Sequence, residues 1–452
     1  MPRIVYFSLP AHGHINPTLA VVRELVYRGE QVVYYGTEPF RRAVQDTGAP
    51  FRPYSTEFCM PERGPGPFAQ VSTTLDTLLD LSRAVLDRHL EEVRMLRPTH
   101  IMYDSFAPWG RFVAQLLGLP SIASIPSILV NSDIDSRYGA APRMQPEDPR
   151  LTRQWHTEFR SRCHACLLRY GLPELPSPQQ LLQTYGDWNL VYTSRLFQPL
   201  AEAFDGDRFK FVGPCFDCRP EAPPFPFEQC DRRPLVLVSL GTVYGNHPQF
   251  FRRCLEELAD TPWQVVLSTG GDLPMGTLGP IPENFIVRSF VPQIEILRRS
   301  AAFVTHGGMN SVQEALYYGV PLVVAPQAAD QFWISSRAAE LGAALVLDTR
   351  RMEAGAIRGS VAKVLSGTQY AAAAARIGAS LRAAGGHMRA ADDIQSFMRR
   401  TTRGIVKSAA SGPAAILFPR DQPQNPAGKI VGESKPGFGA GIEMHRLLIE
   451  PD

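Results

Sequence analysis

Apolar positions in this chain come in short runs separated by amphipathic stretches, and the two alternate almost from the first residue. Ile4-Val-Tyr-Phe-Ser8 reads as a buried strand and Gln31-Val-Val-Tyr-Tyr35 as the next. Between them Leu19, Val22 and Val26 recur at helical spacing, with Pro17 read as a first-turn proline and Gly29 as the stop. Strand, helix, strand at this spacing is a βαβ unit, which implies a parallel sheet with right-handed crossovers. The alternation continues through a helix over 71–96, a strand Thr99–Tyr103 with Asp104 at its end, a helix Trp109–Leu117 and a strand Ser121–Ile125. A helix about Trp155–Tyr170 and strands Leu190–Thr193 and Phe209–Val212 complete this half.

The pattern restarts at Leu235-Val-Leu-Val-Ser239. Further strands are expected at Gln264–Leu267, Ile286–Arg288, Ala302–Thr305, Leu322–Val324 and Ala344–Leu347, with helices near 248–259, 293–299, 310–318 and 331–341. The expected fold class is therefore α/β, with two Rossmann-like doubly wound domains. The expected boundaries are 1–213 for the first domain, a proline-rich linker over 214–234, and 235–385 for the second. Residues 386–400 are expected to form a helix packing back on the first domain. Residues 401–452, rich in Ser, Ala, Gly and Pro, are expected to be a partly ordered tail.

Composition narrows the function classes. The 452 residues are 44% hydrophobic and 20% charged, the balance of an ordinary globular protein. A net charge of +2 from 46 basic and 44 acidic residues lacks the basic excess of a nucleic-acid binder. No apolar run is long enough to span a bilayer and no signal-peptide layout opens the chain, so a cytoplasmic protein is expected. Seven cysteines fit a reducing compartment better than a disulfide framework. The pairs Cys163/Cys166 and Cys215/Cys218 leave zinc as the weaker of two readings, because their separation exceeds compact finger spacing. Asp133-Ile-Asp135 has the form of a metal-binding Asp-x-Asp, but is read as a solvated loop. No metal and no resident cofactor is expected.

Candidate chemistry concentrates in two places. The first is Ala11-His-Gly-His14-Ile-Asn-Pro17, after the first strand. The second runs Phe290-Val-Pro-Gln293, then Phe303-Val-Thr-His306-Gly-Gly-Met-Asn310-Ser311-Val-Gln-Glu314, and closes on Asp330-Gln331. A strand end, a glycine turn and a helix N-terminus converge there, and unpaired N–H groups with the positive helix end make an anion site. Ser311-x-x-Glu314 also has the form of a capping box, which would explain both residues without a ligand. Neither a Gly-x-Gly-x-x-Gly after the first strand nor a Gly-Lys-Ser/Thr loop is present, so nicotinamide and ATP readings fall away.

Over roughly residues 3–400 these blocks resemble an inverting, nucleotide-sugar-dependent glycosyltransferase of GT-B architecture, in the bacterial macrolide-type branch related to plant UDP-glucosyltransferases. The resemblance implies a donor held by the second domain and an acceptor by the first. It implies His14 as catalytic base, chosen over His12, and Asp104 as its partner. It assigns Phe290 to stacking on the pyrimidine, where the family more often has tryptophan, which leaves uracil and thymine both open. Val291 and Gln293 would flank the base and ribose, and Glu314 would bond the ribose. His306, Gly308, Asn310, Ser311 and Thr242 would hold the diphosphate, and Asp330 and Gln331 the sugar hydroxyls. The implied partners are a UDP-sugar (or its TDP counterpart), glucose in the leading case, and a hydrophobic hydroxylated small molecule. Phe58, Phe68, Trp109 and Tyr138 are candidates for the acceptor pocket, with core packing the alternative for each. Two other readings are a sugar-nucleotide epimerase and a non-catalytic sugar-nucleotide-binding protein.

Overall fold

The computed structural model describes residues 3–54, 67–138, 149–174, 177–216, 224–241, 247–271, 273–328, 330–349 and 351–410. Short, nearly continuous apolar runs make buried strands, and thirteen of them form two wholly parallel sheets. The first holds β1 (Arg3–Phe7), β2 (Gln31–Gly36), β3 (Phe51–Pro53), β4 (His100–Asp104), β5 (Ser121–Ile125), β6 (Trp188–Val191) and β7 (Phe209–Phe211), in the order β3-β2-β1-β4-β5-β6-β7. The second holds β8 (Leu235–Ser239), β9 (Gln264–Ser268), β10 (Phe285–Arg288), β11 (Ser300–Thr305), β12 (Leu322–Val324) and β13 (Ala344–Val346), in the order β10-β9-β8-β11-β12-β13.

Alternate residues of each strand serve opposite faces, so each sheet carries two apolar layers. In the first, Val5, Phe7, Ile101 and Tyr103 pack with the helices Pro67–Met95 and Pro149–Tyr170. Ile4, Tyr6 and Met102 pack on the other side with the helices His12–Tyr27 and Gly386–Ala410, through Leu19, Val22, Ile394 and Phe397. The last helix of the described chain therefore belongs to the layer over the first sheet. It continues ten residues past 400, where the sequence reading began the tail; residues 411–452 lie outside the described residues.

The strand order reverses between β1 and β4 in one sheet and between β8 and β11 in the other. At such a switch point neighbouring connections leave in opposite directions and open a crevice at the carboxyl ends of the strands. His14 follows β1 and Asp104 ends β4; Gly241 and His306 follow β8 and β11. The sites picked from sequence thus sit at the two crevices. One local expectation is corrected: the first helix begins at His12, not at Pro17, so the His-Gly-His segment is its first turn.

Candidate active site

His14 is the third residue of the helix His12–Tyr27, and Asp104 closes β4. The ring Nδ1 lies 2.9 Å and 3.0 Å from the two carboxylate oxygens of Asp104. Asp104 is wholly buried and accepts a second bond from the Phe106 N–H at 2.8 Å. Phe106 sets its ring edge-on to the imidazole, with centroids 5.2 Å apart. With Nδ1–H directed at a carboxylate, the lone pair is left on Nε2. Burial is the largest influence on His14 and pushes its pKa down. The Asp104 charge and hydrogen bond, together with the Asp330 charge, outweigh it and hold the group above its ordinary value. The helix N-terminus, which disfavours the imidazolium, does not set the balance. His12 packs edge-on against Phe40 at 4.9 Å.

The opposite wall is built around His306 and the helix Met309–Tyr317. His306 follows β11, and burial pushes its pKa down to about 4, so it is a neutral hydrogen-bonding group near neutral pH. A Cβ on Gly308 would fall 2.4 Å from its Nε2, and one on Gly241 2.7 Å from its Cε1. The two glycines therefore make the slot that lays the imidazole over the helix N-terminus. That helix starts at Met309 with Gly308 as N-cap and no side-chain cap, so Ser311 is its third residue. The capping-box explanation of Ser311 and Glu314 is thereby removed. Glu314 is buried and accepts a 2.7 Å bond from Gln293 Nε2, which places two of the expected ribose-region residues in contact. Phe290 is 49% exposed, with its ring over Gly271, and Val291 packs on the apolar layer below.

The walls touch. Asn310 Nδ2 donates to the Gly13 carbonyl at 3.0 Å. Ser127 Oγ donates to Asp330 Oδ2 at 2.6 Å. Asp330 precedes the helix Gln331–Glu340 but makes no side-chain cap for it. Burial raises its pKa, against the lowering effects of the Ser127 bond and of His14. Gln331 is turned inward, its Oε1 accepting from the N–H groups of Gln327 and Ala328 at 2.8 Å and 3.1 Å.

Comparison with known proteins decides the family. The chain is 34% identical over 407 residues to the UDP-glucosyltransferase YojK of Bacillus subtilis (strain 168), covering 89% of this chain and 99% of that protein. It belongs to the nucleotide-sugar-dependent glycosyltransferases. Residues 252–387 match the family described as "Erythromycin biosynthesis protein CIII-like, C-terminal domain". The oleandomycin glycosyltransferase of Streptomyces antibioticus is 31% identical, covering 93% of this chain and 97% of that protein. Among solved structures, the kitacinnamycin glycosyltransferase superposes with a TM-score of 0.74 at 32% identity, covering 88% of this chain and 99% of that one. Both sheets are accounted for by this GT-B architecture.

In this glycosyltransferase Thr242, Phe58 and Phe68 lie outside the described residues or side chains. Trp109 is fully buried, its Nε1 donating to the Tyr54 hydroxyl, so it is core. Tyr138 bonds Glu340 on the facing domain. Asp133 is exposed, and Asp135's side chain lies outside those described. Cys163 and Cys166 share one apolar layer while Cys215 sits in the opposite one; Cys218 is not described. Among the described residues no three His, Cys, Asp or Glu side chains are grouped to hold a metal ion. No described helix is long and apolar enough to cross a membrane. Sequence reasoning missed Ser127, Phe106 and Gly241, which act only through loops whose course a linear pattern does not carry.

Proposed function

We propose that this glycosyltransferase moves a hexose, glucose in the leading case, from a UDP-sugar to a hydroxyl of a hydrophobic small molecule, with inversion and with His14 as base. One observation carries this reading: the His14 imidazole is paired with the Asp104 carboxylate at 2.9 Å, at the mouth of a crevice that faces the N-terminus of the helix Met309–Tyr317. In the proposed step Nε2 takes the acceptor hydroxyl proton while the oxygen attacks the anomeric carbon from the face opposite the diphosphate. The bond to the diphosphate breaks with its electron pair. That charge is met by the N-terminus of the helix Met309–Tyr317, the His306 N–H and the backbone N–H groups of Asn310 and Ser311. Asp104 stabilises the imidazolium and returns it to the correct tautomer.

Phe290 is assigned to the pyrimidine face, Val291 and Gln293 to the base and ribose region, Glu314 to the ribose, and Asp330 with Gln331 to the sugar hydroxyls. The name of the Bacillus relative supports UDP-glucose, and that of the Streptomyces relative supports a macrolide-like acceptor. The His14→Ala variant tests the mechanism. Transfer measured by mass on a phenolic acceptor should fall by roughly a hundred- to ten-thousandfold, while calorimetry shows UDP binding retained. Undiminished transfer would refute the base assignment. A donor screen in the same assay reads the sugar and nucleotide, and donor turnover without any acceptor would favour an epimerase.

A further inference from the structure

The contact between Asn310 and Gly13 has a cause in the first helix. Pro17 is the sixth residue of the helix His12–Tyr27, well inside it. In a regular helix the N–H of residue 17 would bond the carbonyl of residue 13. Proline has no N–H, and its ring crowds that same carbonyl. The Gly13 carbonyl is therefore denied its helical partner, and Asn310 Nδ2, reaching from the other domain, supplies one at 3.0 Å. Gly13 precedes His14 directly, so the bond grips the peptide that carries the histidine. Asn310 is the second residue of the helix whose N-terminus faces the leaving diphosphate.

We infer that Asn310 is a positioning residue which sets His14 against the donor helix by holding the carbonyl that Pro17 leaves unpaired. This deepens the reading of His14 as base and rests on it. The imidazole is then fixed from two sides, by Asp104 within its own domain and through its backbone from the donor domain. Neither hold alone fixes the distance between base and donor. Asp104 orients the ring but says nothing about where the second domain lies. The Asn310 bond ties the two crevices together at the residue next to the base. A displacement of the base by about 1 Å is enough to lower a rate by roughly a hundredfold.

The test uses the full chain with Asn310→Ala, Pro17→Ala and the double variant. Measurements are kcat and KM for a phenolic acceptor with UDP-glucose, the UDP dissociation constant by calorimetry, and the pH dependence of kcat/KM. Pro17→Ala restores the N–H at position 17, draws the Gly13 carbonyl back into the helix and leaves every donor-facing side chain in place. Both single variants are expected to lower kcat roughly ten- to hundredfold with UDP affinity within about twofold of the parent. The double variant should be no worse than the poorer single, because both changes break the same bond. The acid limb of the pH profile should stay where it is, since Asp104 is untouched. The inference is overturned if Pro17→Ala keeps the parent kcat, or if Asn310→Ala loses UDP affinity in proportion to its loss of rate, which would make Asn310 a diphosphate ligand only. Full activity of His14→Ala is a different failure, that of the base itself.

Discussion

At the scale of single residues, the site works by unequal treatment of its two histidines. His306 is buried, and that burial pushes its pKa down to about 4. His14 is half-buried, and the Asp104 carboxylate outweighs the effect of that burial and raises its pKa. In the proposed reaction a neutral N–H donor would therefore face the diphosphate, and the stronger base the acceptor. A base with a raised pKa is protonated over more of the acidic range, so kcat/KM should fall on the acid side with an apparent pKa above the ordinary histidine value near 6.5. Asp104→Asn keeps the shape of the partner and removes its charge. Burial then dominates, and the acid limb should move to lower pH while kcat drops by roughly a hundredfold or more. A pH–rate series on the two proteins checks both shifts. An acid limb that stays in place would show that Asp104 does not govern the base.

At the scale of elements, both sheets were legible because parallel strands are buried on both faces and read as short apolar runs. β5, β8 and β12 lie where the pattern put them, and the other predicted strands differ by a residue or two at their ends. β3 and the short helix Ser132–Tyr138 were missed, since three and seven residues are too few to show a period. The start of the helix His12–Tyr27 was misread because proline favours a first turn, whereas here tertiary packing carries it in the second. The capping-box alternative failed for the reverse reason: the glycine turn lets the helix begin two residues before Ser311. His14, Asp104 and His306 were singled out in the sequence, the first two as a pair, but the contacts across the crevice were not. Ser127 meets Asp330 and Asn310 meets Gly13 across 203 and 297 residues of chain. The slot around His306 gives an element-scale prediction. Gly308 has an ordinary φ of −64°, so Gly308→Ala strains no backbone but drives a Cβ to 2.4 Å from the imidazole. The variant should fold, and its UDP affinity should fall by about tenfold or more, in line with the roughly 1–3 kcal/mol of an overpacked site. Gly359→Ala, whose Cβ meets nothing within 4 Å in the helix Ala356–Ser366, should leave UDP affinity unchanged. Parent-like affinity in Gly308→Ala would deny the ring its role in donor binding.

At the scale of the whole molecule, the crevice is only as well defined as the seating of one domain on the other. Besides the two bonds beside the site, Arg337 on the donor side donates to the carbonyls of Phe197 and Leu196 at 3.0 Å and 2.8 Å, and Glu340 meets Arg137 and Tyr138. The helix Gly386–Ala410 adds a strap that crosses from the end of the second domain onto the back of the first. Its Phe397 stacks on Trp188 with centroids 5.6 Å apart, and its Thr401 bonds Nε2 of His100 at 2.7 Å. His100 opens β4, the strand that ends in Asp104, so the strap and the His14–Asp104 pair grip opposite ends of one element. Burial pushes the pKa of His100 down to about 4, and among the described residues no carboxylate offsets it. A histidine depressed in the folded state takes up protons more readily when unfolded. Its neutral form therefore supports the fold above about pH 6.5, and stability is lost as pH falls from there towards 4. The loss attributable to His100 is at most about 3.4 kcal/mol, from roughly 2.5 pK units at 1.36 kcal/mol each. His306 contributes in the same direction, so His100→Gln should remove part of the slope and not all of it. Urea unfolding midpoints between pH 7 and pH 4.5 measure this directly. A His100→Gln curve parallel to that of the parent would mean that the strap does not sense acid through this histidine.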